Sequence, residues 1–283
     1  MQGKWQPVNG CGSFVSPLRG GLSGGMDGGM DRWYLLVSTL FAVAGGAWGL
    51  WSVLHGRRSR WTLVAMIGVF GFQLAFLSVR GEARGACPLR DTGEILVFLA
   101  WSLTMFYLIV GPAYRISLLG VFTAPVVVVF QSVALFGGLL ARNPERVTSQ
   151  NFWGEIHAAV SVLAYGALAL AAVAGVMFIV LDRLLKDHHL TGGMFRNLPP
   201  VRELLTSLTR LLWLGGGLLT LGIIAGVLMP RSGSPSHLIV ATLVWLGYAA
   251  LITIQQTRGL TGRRLAWAAS LGFIVSLLVF AFM

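Results

Sequence analysis

The stretch Phe152–Leu181, FWGEIHAAVSVLAYGALALAAVAGVMFIVL, decides the fold class. Beyond Glu155 and His157 it carries no ionisable group except Tyr165, and it holds no proline. As an α-helix rising ~1.5 Å per residue it is longer than the ~20 residues needed to cross ~30 Å of hydrocarbon. It shows none of the apolar–polar alternation of a barrel strand.

Working outward, seven further apolar runs read as spans: 33–54, 61–79, 93–110, 116–140, 211–228, 238–254 and 265–283. Across the 283 residues, 55% are apolar and 11% are charged. A soluble chain carries roughly a quarter charged residues and could not cover its surface with so few. The expectation is an all-α polytopic transmembrane bundle of about eight spans, over residues 31–283. It follows a flexible Gly-rich tail, residues 1–30. The tail lacks the apolar core of a signal peptide, and Met26 and Met30 just before the first run suggest a natural start there.

The net charge of +11 would suggest nucleic acid in a soluble protein. Here the basic residues lie in short loops between apolar runs, so the bilayer is the expected partner, not nucleic acid. Loops after the odd-numbered spans hold Arg57, Arg58, Arg60, Arg115, Arg183, Lys186, Arg196, Arg202, Arg210, Arg258, Arg263 and Arg264. Those after the even-numbered spans hold Arg80, Arg84, Arg90, Arg142, Arg146 and Arg231, half as many. Lys4, Arg19 and Arg32 join this second side and narrow the margin. By the positive-inside rule the first set is cytoplasmic and both termini are external. In the longest cytoplasmic loop, Pro199-Pro200 would start a short interfacial helix over 201–208.

Polar residues near a membrane are costly and are therefore functional candidates. Glu94, His157 and His237 stand at the external starts of spans three, five and seven, with Cys87, Arg90 and Asp91 just before span three. His157 shares a helical face with Ser161 and Tyr165. A neutral imidazole there can ligate haem iron, or can simply hydrogen-bond a neighbour or water. Glu94 reads either as an acceptor for an arginine or as a helix-start charge favoured by the macrodipole. His55, His188 and His189 read as interfacial or solvated, and Trp33, Trp61, Trp153 and Trp267 as an aromatic belt. Cys11 and Cys87 form no CxxC, CxxCH or zinc-type spacing. GxSxG, Walker and HExxH motifs are missing, so the chain is not expected to be an enzyme.

The segment Cys87–Trp101, CPLRDTGEILVFLAW, resembles the P-L-x-x-x-x-E-x-L-x-F-x-x-W opening of an early span in the cytochrome c assembly family. Trp153-Gly154-Glu155-Ile156-His157 with Leu163-Ala164-Tyr165 is similar to its W-x-x-I-H … L-x-Y segment. Leu198-Pro199-Pro200, Trp245–Tyr248, Gly259–Arg264 and Gly272-Phe273 match its later loops and spans. The resemblance implies a haem-handling protein of a bacterial plasma membrane that binds haem b at the outer face. His157 would be an axial ligand, arginines such as Arg90 would lie near the propionates, and the partner would be another membrane protein of cytochrome c maturation.

The family's tryptophan-rich W-G-x-x-W-x-W-D platform is replaced here by Pro230–His237. A second external histidine after the last span and a histidine at the cytoplasmic end of span seven are missing. These departures point to the shorter HemX-like branch over the CcsA-like one, with His237 as the partner of His157. They also leave open an accessory protein that binds no haem. A transporter ranks behind both, because Gln73 and Gln131 are the clearest polar residues between the interfaces.

Overall fold

A computed structural model of the chain describes residues 27–55, 60–113, 117–141, 144–147, 151–186, 201–229 and 236–281. They form the helices α1 (Asp27–Leu54), α2 (Trp61–Arg84), α3 (Thr92–Ala113), α4 (Ser117–Phe136), α5 (Phe152–Lys186), α6 (Val201–Leu228), α7 (Ser236–Arg258) and α8 (Gly262–Ala281). Helix is the form an apolar run takes in lipid, because every backbone N–H and C=O must be satisfied within the segment. By length and composition α1 to α7 are each able to cross a membrane. The 20-residue α8 has the ~20-residue length of a span. The end of the bundle that holds the starts of α1, α3, α5 and α7 is the outer end under the charge bias above.

α5 is the axis of the bundle, packed against α3, α4, α6 and α8. An apolar stretch of α5 is 83% buried, whereas the corresponding stretch of α7 is 11% buried and sits on the perimeter. Small residues on α5 allow this. A side chain on Gly166 would overlap Ser102 of α3, and one on Gly175 would come within 2.8 Å of Ser270 Oγ on α8. Between apolar helices in lipid, close backbone approach of this kind is a main source of association. The polar residues inside the bundle serve the same end. Gln131 Nε2 donates to Ser38 Oγ (2.8 Å), Ser38 Oγ donates to Val69 O (3.2 Å), and Thr39 Oγ1 donates to Gln131 Oε1 (3.2 Å). This seam joins α4, α1 and α2.

Two expectations are corrected. Residues 201–208 are not a separate interfacial helix but the first turns of α6. Leu204, Leu208, Leu211 and Leu212 are all buried, so one apolar stripe with helical spacing runs through the expected break. Arg80 and Arg84 are not loop residues either, since α2 continues through them and both are buried. Their charges are met by carboxylates of neighbouring helices, so the helix need not end where the apolar run ends. α1 begins at Asp27, a turn inside the segment read as tail. The candidates Cys11, His188, His189, Arg142, Arg231 and the Pro199-Pro200 pair lie outside the described residues.

Candidate functional site at the outer end

α2 ends at Gly85, whose left-handed φ of +65° lets the chain reverse without the steric cost a side chain would incur. Residues 86–91 then cross to the start of α3. This turn brings two arginines of α2 up to three carboxylates. Arg80 Nε lies 2.9 Å from Asp31 Oδ2 on α1, and Arg80 Nη1 lies 3.5 Å from Glu94 Oε1 on α3. Arg84 pairs with Asp91 at 2.7 Å and with Glu94 at 2.8 Å. Glu94 also accepts the backbone N–H groups of Arg90 (3.3 Å) and Asp91 (3.4 Å).

The segment after α4 is drawn into the same cluster. Arg80 Nη2 donates to Ala141 O (2.8 Å), the Ala141 N–H donates to Asp91 Oδ2 (3.2 Å), and the Val147 N–H donates to Arg84 O (2.9 Å). Glu94 is 0% exposed and Arg80 1%. Both readings of Glu94 thus describe its surroundings: it is an arginine acceptor and it caps the start of α3. A buried pair of this kind is held by geometry, and removing one partner costs about 3–5 kcal/mol.

A second polar group lies where the start of α5 faces the end of α6. His157 Nδ1 stands 2.7 Å from Gly222 O. A carbonyl only accepts, so Nδ1 is the donor, and the lone pair of the neutral tautomer with this bond is on Nε2. One turn outward, a side chain on Gly154 would meet Met229 Sδ at 3.3 Å, and one turn inward, one on Gly222 would meet Ser161 Oγ at 2.8 Å. Beside His157 lies a cleft of about 230 Å³ lined by Ala86, Cys87, Leu89, Arg90, Val147, Asn151, Gly154, Glu155, Ala158 and Met229. Arg90 is exposed and Cys87 is buried and engaged with the protein.

The structure brings Arg90 and Cys87 to one cleft, whose α5 wall is Gly154, Glu155 and Ala158, and His157 is not among its lining residues. Glu94 lies behind it within the ion-pair cluster. Tyr165 is eight residues further along α5, ~12 Å at 1.5 Å per residue, and does not line the cleft. The backbone at His237 is in the first turn of α7, and its side chain lies outside the described residues. Sequence reasoning missed Asp31, Asn151 and Met229. It also counted Arg80 and Arg84 as loop charges, although their i, i+4 spacing puts them on one helical face. No group of three or more His, Cys, Asp or Glu able to hold a metal ion occurs among the described residues.

Long apolar helices with a cleft at one end of the bundle define a multi-pass membrane protein. The family described as "Cytochrome C assembly protein" matches residues 91–283, two thirds of the chain, and the chain belongs to that family. It is similar to the "Cytochrome c biogenesis protein CcsA" of Gloeobacter violaceus, 26% identical over 297 residues, covering 85% of this chain and 87% of that one. A Synechococcus protein of the same name is 29% identical, covering 75% and 78% of the two chains. That of Chlamydomonas reinhardtii is 27% identical, covering 74% and 62%.

Proposed function

We propose that this protein holds haem at the outer membrane face during cytochrome c assembly and passes it to a partner membrane protein. The observation that carries this reading is the His157–Gly222 bond. A histidine that donates one ring N–H to a backbone carbonyl has its orientation and tautomer set, which is how ligating histidines are held. His157 would hold the haem iron through Nε2, supplying coordination that keeps the group bound. Arg90, exposed on the rim of the cleft, would meet a propionate by charge-assisted hydrogen bonds. Gly154 adds a close approach, since its Cβ would stand 3.3 Å from Met229 Sδ.

At about 230 Å³ the cleft is smaller than the ~300–1,000 Å³ of pockets that enclose a drug-sized ligand. It would seat one edge of a haem b macrocycle, with the rest against lipid or the partner. His237, at the start of α7, is the candidate second ligand from the sequence. The finer assignments, a bacterial plasma membrane and the HemX-like branch, rest on the cytoplasmic charge bias and on Pro230–His237 standing in place of a tryptophan-rich platform.

The test is an absorption spectrum of the detergent-purified protein, oxidised and reduced, for wild type and His157→Ala. A Soret band that the substitution removes or shifts supports the reading. Absence of the band in wild type after haem is supplied overturns it. That outcome would leave an accessory protein that stabilises a partner, the alternative favoured by the replaced platform.

A further inference from the structure

Arg80 of α2 and Glu94 of α3 stand 3.5 Å apart. Seven residues further toward the middle of each helix are Gln73 and Trp101. Seven residues make about two turns, ~10.5 Å at 1.5 Å per residue, and return a helix to nearly the same face. The two side chains therefore face one another across the α2–α3 contact, two turns below the ion-pair cluster. Phe70, one turn from Gln73 on α2, stacks on Trp101 with ring centroids 5.4 Å apart, which fixes the same level. The same step on α1 leads from Asp31 to Ser38, whose Oγ already serves Gln131 and Val69.

Gln73 and Gln131 are the two amides in the middle of this half of the bundle, and they differ. Both polar atoms of Gln131 are bonded. Nε2 and Oε1 of Gln73 and Nε1 of Trp101 are buried without a hydrogen-bond partner among the described residues. In a lipid-surrounded interior an unmet amide or indole N–H is costly. Here an acceptor and a donor face one another without a direct bond, which is the separation that one bridging water spans.

We propose that an ordered water molecule binds between α2 and α3, accepting the Trp101 Nε1–H and donating to the Gln73 amide oxygen. Water fits this place because Gln73 is 0% exposed, as are Met66, Val69 and Phe76 on the same stripe of α2 and Val97 and Ala100 on α3. A lipid-sized ligand has no route past them, whereas a buried water needs only two to four polar partners. The bridge ties α2 to α3 at mid-depth, as the Arg80–Glu94 pair ties them at the end. The competing account is a dry amide that the packing simply tolerates.

The first test is a density map of the whole protein in detergent at a resolution that shows ordered water. The expected result is a peak within hydrogen-bonding distance of both Trp101 Nε1 and the Gln73 amide. A direct Gln73–Trp101 bond, or no peak between them, overturns the proposal. The second test compares the unfolding temperatures of wild type, Trp101→Phe, Gln73→Met and the double variant. Phenylalanine keeps a ring against Phe70 and removes the N–H, and methionine keeps the unbranched shape and removes the amide. Each single substitution should lower the unfolding temperature by about 2–4 °C. The double variant should fall no further than the larger single effect, since both substitutions break one bridge. Additive shifts, or a rise in Gln73→Met as expected for a dry orphaned amide, overturn it. Neither test depends on whether the protein binds haem.

Discussion

Two polar groups share the end of the bundle where α1, α3, α5 and α7 start, and differ in how their bonds are closed. Around Arg80 and Arg84, two guanidiniums meet three carboxylates, and the backbone of the segment after α4 supplies further partners. Donors and acceptors there are turned toward one another and away from solvent, with Glu94 at 0% exposure. At His157, one residue from Ala158 on the wall of the cleft, one ring nitrogen is tied to Gly222 O. Charge alone would have marked the first group as functional. Hydrogen-bond accounting assigns it to holding the starts of α1 and α3, the end of α2 and the α4–α5 segment in register, and the proposed ligand chemistry falls to the less charged group. The difference arises because a buried charge must be matched internally, whereas a binding group must keep one valence outward.

The largest expected effect that sharpens this contrast is on stability. Glu94→Gln should destabilise the folded protein by about 3–5 kcal/mol, because Arg80 and Arg84 then lose a shared buried charge partner. Thermal unfolding in detergent checks it, and the fraction that remains folded should bind haem as wild type does. Haem loss without loss of stability would break the comparison by making Glu94 a ligand-site residue. His157→Ala should show the reverse pattern. Loss of one hydrogen bond costs about 0.5–1.5 kcal/mol, while the Soret band disappears or shifts. The smallest change in stability is expected for Arg90→Gln, within about 0.5 kcal/mol for an exposed side chain. Its effect should appear as weaker haem retention, measured by the rate of transfer to an excess of an apo-globin. A stability loss as large as that of Glu94→Gln would mean that Arg90 belongs to the closed cluster.

Much of the fold follows from runs of apolar residues, because in lipid such a run has helix as its available form and its length states whether it can cross. The same rule misjudged boundaries where tertiary partners altered the local balance. Arg80 and Arg84 look like loop residues because an isolated charge ends an apolar run, yet their carboxylate partners come from Asp31, Asp91 and Glu94 on other elements. The 201–208 segment looks interfacial because it follows two prolines, yet its leucines continue the stripe that α6 presents to the bundle. In the site, His157 and Arg90 could be named in advance from their residue type and their position at a span end. Asn151 and Met229 could not, since neither carries chemistry that marks it before its neighbours are known.

By itself the sequence determined that this chain is a membrane-embedded helical bundle with polar candidates gathered toward one face. Composition and run length act locally, and lipid imposes the same demand on every span. Only the tertiary structure decided which of those polar groups are spent on one another and which backbone carbonyl holds His157. That question depends on pairs such as Asp31 with Arg80 and His157 with Gly222. Their atoms come within hydrogen-bonding distance only after helices far apart in sequence have packed.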